Sequence, residues 1–205
     1  KVVIISNLQQ WSVDVSSLFK NRFESLGGSV IAEYSIDLAE SNDYRSVIAK
    51  AISDKADIIY APVTEGMSVF FIQLRDNGYA GKAITSDVIT DNIIQVSKGA
   101  TEGVYQTLVM DPQNREKTQH MINLYKQKYG KDPKLVLFNA WGYDAVQVIA
   151  EAAKGCSDSV CIKDNLYKIN NFNGASKDIT FNENGSSPTY PNIVVVRNST
   201  LVLVK

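Results

Sequence analysis

Short apolar runs alternate with stretches of helical periodicity through the first half of the chain. The runs are Val2–Ile5, Val30–Glu33, Ile58–Ala61, Ala83–Ser86 and Val104–Val109, each bounded by polar turns. Continuous apolar runs of this length suit strands buried on both faces of a parallel sheet. Between them, Val15, Leu18, Phe19 and Phe23 form one helical stripe, stopped by Gly27-Gly28. Tyr44, Val47, Ile48, Ala51 and Ile52 form a second, with Ser41, Asn42 and Asp43 as capping candidates. Met67, Phe70, Phe71 and Leu74 form a third, closed by Asn77-Gly78, and a weaker fourth covers Asn92–Val96. Strands and helices that alternate with short links predict an α/β, doubly wound parallel sheet with right-handed crossovers.

The rhythm changes after Met110. Two long helices are expected in succession, Arg115–Tyr129 and Leu137–Lys154, the second with Ala140, Tyr143, Val146, Ile149 and Ala150 facing inward. Asp132-Pro133 breaks the chain between them. A shorter helix near Val160–Ile169 follows. Short strands are expected around Ile179–Phe181, Ile193–Val196 and Leu201–Val204, with turns at Glu183-Asn184-Gly185 and Asn198-Ser199. Two long helices with almost no parallel strands of their own leave apolar faces unburied. They imply a sheet outside this sequence. The chain also opens inside an apolar run without a methionine, so its start reads as a cut through a larger protein.

Composition narrows the function classes. With 22 acidic and 21 basic residues among 205, the chain offers no electrostatic case for nucleic acid or a charged membrane surface. No apolar run is long enough to span a bilayer, and no signal peptide is visible. Cys156 and Cys161 are too few for a zinc site, and the single histidine, His120, is distant in sequence. They read either as a short disulfide loop from an oxidising compartment or as two ordinary thiols near a helix end. No Gly-x-Ser-x-Gly elbow, no phosphate-cradling loop and no Gly-x-Gly-x-x-Gly follows a strand. His120 lies on the polar side of its helix beside Gln119 and reads as solvated. No catalytic residue, cofactor or metal is therefore expected.

The expected fold itself points to a site. In doubly wound sheets, ligands bind outside the carboxyl ends of the strands where strand order reverses. For five strands in the order 2-1-3-4-5, the relevant loops are 7–13, 62–67 and 86–90. They hold Gln9, Gln10, Trp11, Thr64, Glu65, Ser86 and Asp87. Trp11 offers a flat apolar face for an aliphatic chain, or simply fills a groove. Thr64 offers a hydroxyl. Asp87 or Glu65 can pair with an ammonium group; alternatively Asp87 caps a helix from Ile89 onward, and Glu65 complements a helix dipole as an exposed acid of the first turn.

Several segments, taken in order, resemble the leucine/isoleucine/valine-binding branch of the type 1 periplasmic binding proteins. They are Lys1–Ile5 followed by Gln9-Gln10-Trp11; Glu24-Ser25-Leu26-Gly27-Gly28; Asp57-Ile58-Ile59-Tyr60 with Gln73–Gly78; and Gly103-Val104-Tyr105. Tyr129–Pro133, Gly142–Val146 and Ile179–Gly185 complete the series. The resemblance spans the whole chain. It implies a two-lobed clamp, periplasmic or extracellular, that closes on a small amino-acid-like solute and passes it to an ABC importer permease. It further implies that 1–107, with 190–205 returning, forms the second lobe, and that 108–189 belongs to a first lobe whose beginning is absent. Ligand contacts carry over to Trp11, Thr64 and Asp87, with Gln10 and Glu65 beside them. Trp11 stands where relatives often have tyrosine, and Thr64 where an aromatic often sits. A sensory receptor domain of the same fold and a flavodoxin-like α/β enzyme remain as alternatives.

Overall fold

The computed structural model describes residues 1–37, 42–108, 115–188 and 191–204. Nine strands and seven helices follow one another among them. The first half runs β1 (Val2–Asn7), α1 (Gln10–Ser25), β2 (Val30–Ile36), α2 (Arg45–Ser53), β3 (Ile58–Tyr60), α3 (Met67–Asp76), β4 (Lys82–Thr85), α4 (Asp91–Val96) and β5 (Tyr105–Leu108). Then come α5 (Glu116–Tyr129), α6 (Val136–Ala152), α7 (Ser159–Leu166), β6 (Phe172–Asn173), β7 (Asp178–Ile179), β8 (Asn192–Arg197) and β9 (Thr200–Leu203). The expected strand Val104–Val109 is described over Tyr105–Leu108, while Val109 and the capping candidate Ser41 lie outside the described residues. No described helix is long and apolar enough to cross a membrane.

The chain divides into two compact units, Lys1–Leu108 with Asn192–Lys205, and Val109–Pro191. The first is built on a seven-stranded sheet in the order β2-β1-β3-β4-β5-β8-β9. Strands β1 to β5 are parallel, in the 2-1-3-4-5 order expected for a doubly wound sheet; β8 and β9 then add antiparallel at the edge. Strand β1 is buried at every position, because helices cover both of its faces. Val3, Ile5, Ile59 and Ala83 face the stripes of α2, α3 and α4, where Val47, Ile48, Met67, Phe70, Phe71, Leu74 and Ile94 are buried. Val2, Ile4 and Tyr60 face α1 through Val15, Phe19 and Phe23, and the Tyr60 ring stacks on Phe19 with centroids 3.9 Å apart. Leu18, expected on the inner stripe of α1, is instead 69% exposed. The helix is one-sided and narrow, with Val15, Phe19 and Phe23 at i, i+4, i+8 already filling its contact. After Ser25 the chain turns through Gly27 at φ 88°, and the Gly28 amide donates to the Phe23 carbonyl at 3.0 Å. A Cβ on Gly28 would stand 2.3 Å from the Phe23 ring, so only glycine closes the helix there.

The second unit pairs α5 with α6 and holds α7 and the β6–β7 ribbon. Its core is small: Met121, Ala140 and Ala175, with Ile122, Val136, Leu137 and Tyr143 packed against them. The inward face of α6 differs from the expectation. Ala140, Asp144, Val148 and Ala152 are buried, whereas Val146 is 66% and Ile149 53% exposed and Ala150 is exposed. Helix α6 is apolar nearly all round, so periodicity alone does not choose a face. The buried one is chosen by two hydrogen bonds. The Asp144 carboxylate accepts the backbone N–H groups of Ala175 at 2.5 Å and Ser176 at 2.6 Å. Thr118 of α5 donates its hydroxyl to the Ala175 carbonyl at 2.6 Å, fastening the same turn from the other side. Cys156 and Cys161 form a disulfide across the turn from α6 to α7. Asp158 caps α7 by accepting the Cys161 amide at 2.8 Å.

Candidate functional site

The carboxyl ends of β1, β3 and β4 lie side by side in the sheet, so the loops that follow them share one edge. Two hydrogen bonds lace the first loop to the second. The Ser12 hydroxyl donates to the Pro62 carbonyl at 2.6 Å and accepts the Asn7 amide at 3.1 Å. Above it, the Thr64 hydroxyl donates to Gln9 Oε1 at 2.5 Å, and the Gln9 amide is held by Asn7 Oδ1 at 3.2 Å. Ser12 is buried, whereas Gln9 and Thr64 are exposed at the rim. The loop after β4 is anchored from beneath. Buried Gln106 accepts the Ile89 amide at 2.7 Å and donates to the Ile89 carbonyl at 3.1 Å, so one carboxamide fixes both polar groups of that residue.

Asp87 sits on this anchored loop, half-buried, and forms no hydrogen bond or ion pair with any described residue. Its charge is felt by Tyr60, whose phenol is pushed up in pKa by burial first and by Asp87 second. The capping alternative for Asp87 does not hold: α4 begins at Asp91, and Thr90 is its cap, accepting the Ile93 amide at 3.4 Å. Glu65 is exposed, immediately before the Gly66 that caps α3, and its carbonyl accepts the Tyr44 hydroxyl at 2.9 Å. Burial, and secondarily Glu65, pushes the Tyr44 phenol up to about 12. Trp11 is the second residue of α1 and 38% exposed. Gln10 turns along the helix surface and donates to Asp14 at 2.8 Å. Gln9, not Gln10, therefore bridges to Thr64. Gln9 lies in the loop the sequence marks, but nothing in the sequence signals its partner, because the two residues lie on different loops. Asn7 Nδ2 and Ser86 Oγ, buried at the same edge, have no partner.

Two concavities elsewhere are occupied by internal contacts. A cleft of about 540 Å³ at the amino ends of β4 and β5 is lined by Arg75, Tyr79, Lys82, Glu102 and Tyr105. There the Arg75 guanidinium donates to the carbonyls of Tyr79, Ala100 and Glu102 at 2.8, 3.2 and 3.0 Å, so it ties loops together. In the second unit a cleft of about 510 Å³ is lined by Arg115, Glu116, Lys117, His120 and Asn173. Arg115 there pairs with Asp178 at 2.6 Å and donates to the Gly174 carbonyl at 3.2 Å, while His120 is exposed. Among the described residues no cluster of His, Cys, Asp and Glu has the makings of a metal site.

Comparison with known proteins gives the geometry a context. A leucine-binding protein of Thermotoga maritima superposes with a TM-score of 0.86 at 29% identity, covering 100% of this chain and 59% of its own. The isoleucine-bound substrate-binding protein of a branched-chain amino-acid transporter from Streptococcus pneumoniae shares the fold at 21% identity and a TM-score of 0.80, with coverage of 99% and 60%. A benzoate-bound solute-binding protein of Rhodopseudomonas palustris does so at 16% identity and a TM-score of 0.83, with coverage of 99% and 57%. This chain thus spans about 60% of the length of these structures. None of the curated proteins matches it. The sequence pattern of periplasmic binding proteins runs through residues 1–198, and the chain belongs to that family.

Proposed function

We propose that this chain is the greater part of a two-lobed solute-binding protein, periplasmic or extracellular, that captures a small amino-acid-like ligand and delivers it to the permease of an ABC importer. In this reading 1–107 with 190–205 is the second lobe. Residues 108–189 are the later part of a first lobe, and the protein binds without chemistry. The observation that carries the proposal is Asp87: a half-buried carboxylate without a partner, on a loop clamped by Gln106, at the sheet edge where doubly wound folds bind ligands. While water reaches this half-buried charge it costs little, but once a bound ligand covers it a positive group is needed to meet it. The ammonium group of an amino acid meets that need, and the similarity to a leucine-binding protein supports the class. Trp11 then covers the ligand's apolar part, and Thr64, with Gln10 and Glu65 near it, completes the rim. The exposed apolar side of α6, with Phe138, Val146 and Ile149, supports a further layer of chain on the second unit.

The test uses the full-length protein and calorimetric titration with the twenty protein L-amino acids. Removing one partner of a desolvated charge pair typically costs about 2–5 kcal/mol. Asp87→Ala is therefore expected to weaken the best-bound amino acid by roughly 30-fold or more, with Asp87→Asn intermediate. In a Trp141→Phe background, that same amino acid should shift the emission of Trp11. Binding of normal strength by Asp87→Ala would sink the proposal.

A further inference from the structure

A threonine hydroxyl carries one proton and two acceptor lone pairs. At the rim of the site that proton is already committed, because Thr64 donates it to Gln9 Oε1 at 2.5 Å. Gln9 is itself held in place: its backbone amide is bound by Asn7 Oδ1, and Asn7 is wholly buried at the end of β1. Thr64 is thus left with acceptor capacity only. Asp87, on the loop after the neighbouring strand, is acceptor-only for a different reason, its charge. The pairing of Tyr60 with Ile84 sets these two loops abreast, Thr64 four residues beyond one partner and Asp87 three beyond the other. Both Gln9 and Thr64 are exposed, and a solvent-exposed hydrogen bond of this kind contributes little to folding. Its consequence is chemical: it fixes which way the threonine points its polarity.

We infer that Gln9 is a specificity-determining residue that works through Thr64. It holds the Thr64 hydroxyl as an acceptor, so that Thr64 and Asp87 together read a ligand group rich in N–H donors. An ammonium group has three such donors, and a hydroxyl or carboxylate in its place has one or none. The pair thereby selects α-amino acids over their α-hydroxy analogues. Asp87 supplies charge, while Gln9 and Thr64 supply a second acceptor that a hydroxyl ligand cannot use as fully. A site built to accept from N–H groups rejects analogues lacking them because its acceptors are then stranded. The inference rests on the amino-acid reading of the site proposed above.

The experiment measures a ratio. Full-length protein is titrated with the protein L-amino acid that stabilises it most in a thermal-shift series of all twenty, and with the α-hydroxy acid of the same side chain. Wild type is expected to favour the amino acid. Gln9→Met keeps the length of the side chain and removes the acceptor, so the Thr64 proton is released toward the ligand. The amino-to-hydroxy affinity ratio should then fall by about tenfold, partly through tighter binding of the hydroxy acid. Gln9→Glu retains the acceptor and should keep the wild-type preference, and Thr64→Val should lower the ratio as Gln9→Met does. Urea unfolding of all three is expected to match wild type, since none of these side chains is buried. A Gln9→Met ratio equal to wild type, in a protein whose ratio collapses on Asp87→Asn, overturns this inference and leaves the amino-acid reading intact. A ratio that rises in Gln9→Met also overturns it, because the carboxamide would then be donating to Thr64. Failure of all twenty amino acids to stabilise the wild-type protein overturns the amino-acid reading itself, and this inference with it.

Discussion

Replacing Asp144 with alanine should loosen the second unit more than a single polar residue on a helix ordinarily would. The carboxylate is 2% exposed and accepts two backbone N–H groups, from Ala175 at 2.5 Å and Ser176 at 2.6 Å. Hydrogen bonds to a charged group contribute about 1.5–3 kcal/mol each. Both donors belong to a buried turn, so their loss strands them. Water entering the space vacated by the carboxylate recovers part of that, which puts the net cost at about 3–5 kcal/mol. Asp144→Asn keeps one acceptor and turns an NH2 group toward the other donor, for about 2–4 kcal/mol on the same basis. The turn is fitted around the carboxylate: a Cβ on Gly174 would lie 2.6 Å from Asp144 Oδ2 and 2.6 Å from the Lys177 carbonyl. Gly174→Ala should therefore be costly alone and less than additive with Asp144→Ala, because removing the carboxylate relieves one of the two clashes. Urea unfolding in a Trp11→Phe background isolates the signal of Trp141, which lies on α6 itself. A loss below about 1 kcal/mol for Asp144→Ala, or strict additivity with Gly174→Ala, would refute the reasoning.

Three further outcomes are expected. Thr90→Ala should lower stability by about 0.5–1 kcal/mol through loss of the α4 cap, whereas Asp87→Ala leaves ligand-free stability within about 0.5 kcal/mol; chemical denaturation of both variants checks the assignment. Asn198 and Ser199 both hold positive φ, 50° and 60°, in the two-residue turn between β8 and β9. Ser199→Gly should stabilise the protein by about 0.5–1 kcal/mol in the same assay, and a destabilised variant would contradict the turn assignment. Tyr44 and Tyr60 both hold their protons above the ordinary tyrosine value, chiefly through burial. A pKa raised on folding gives stability that is intact below the unfolded value near 10 and lost as pH rises through the folded one. Denaturation midpoints should therefore drop above pH ~10, and less so in Tyr60→Phe; an unchanged alkaline profile in that variant would exclude Tyr60 as a cause.

What was legible in the sequence was set by how sharply each segment separates apolar from polar. The stripe Met67, Phe70, Phe71, Leu74 repeats at helical spacing and gives way to Arg75-Asp76, and every member is buried. The runs beginning at Val2 and Ile58 are adjacent parallel strands, in the order the sequence predicts. On helix α6, Phe138, Val146 and Ile149 make the side opposite Asp144 apolar, and the polar residue is the one turned inward, so periodicity points to the wrong face. The ribbon strand Phe172–Asn173 is two residues long, too short for any period to register. Among the candidate residues, Trp11 and Asp87 stand out in the sequence by residue type alone. The Gln9–Thr64 bond joins side chains 55 positions apart, which no local pattern encodes.

The pairing of β5 with β8 sets an order of events during synthesis. Leu108 lies opposite Asn192, and the second unit, about eighty residues, is inserted between them. A ribosome therefore completes β1 to β5 and then the whole insertion before the strand that closes the sheet emerges. Until then β5 presents a bare edge, the feature most prone to pairing with another chain. Bringing the two ends together across eighty unfolded residues costs about 4 kcal/mol in loop entropy. The last two strands of the sheet thus reach it only after the chain of the second unit has been made.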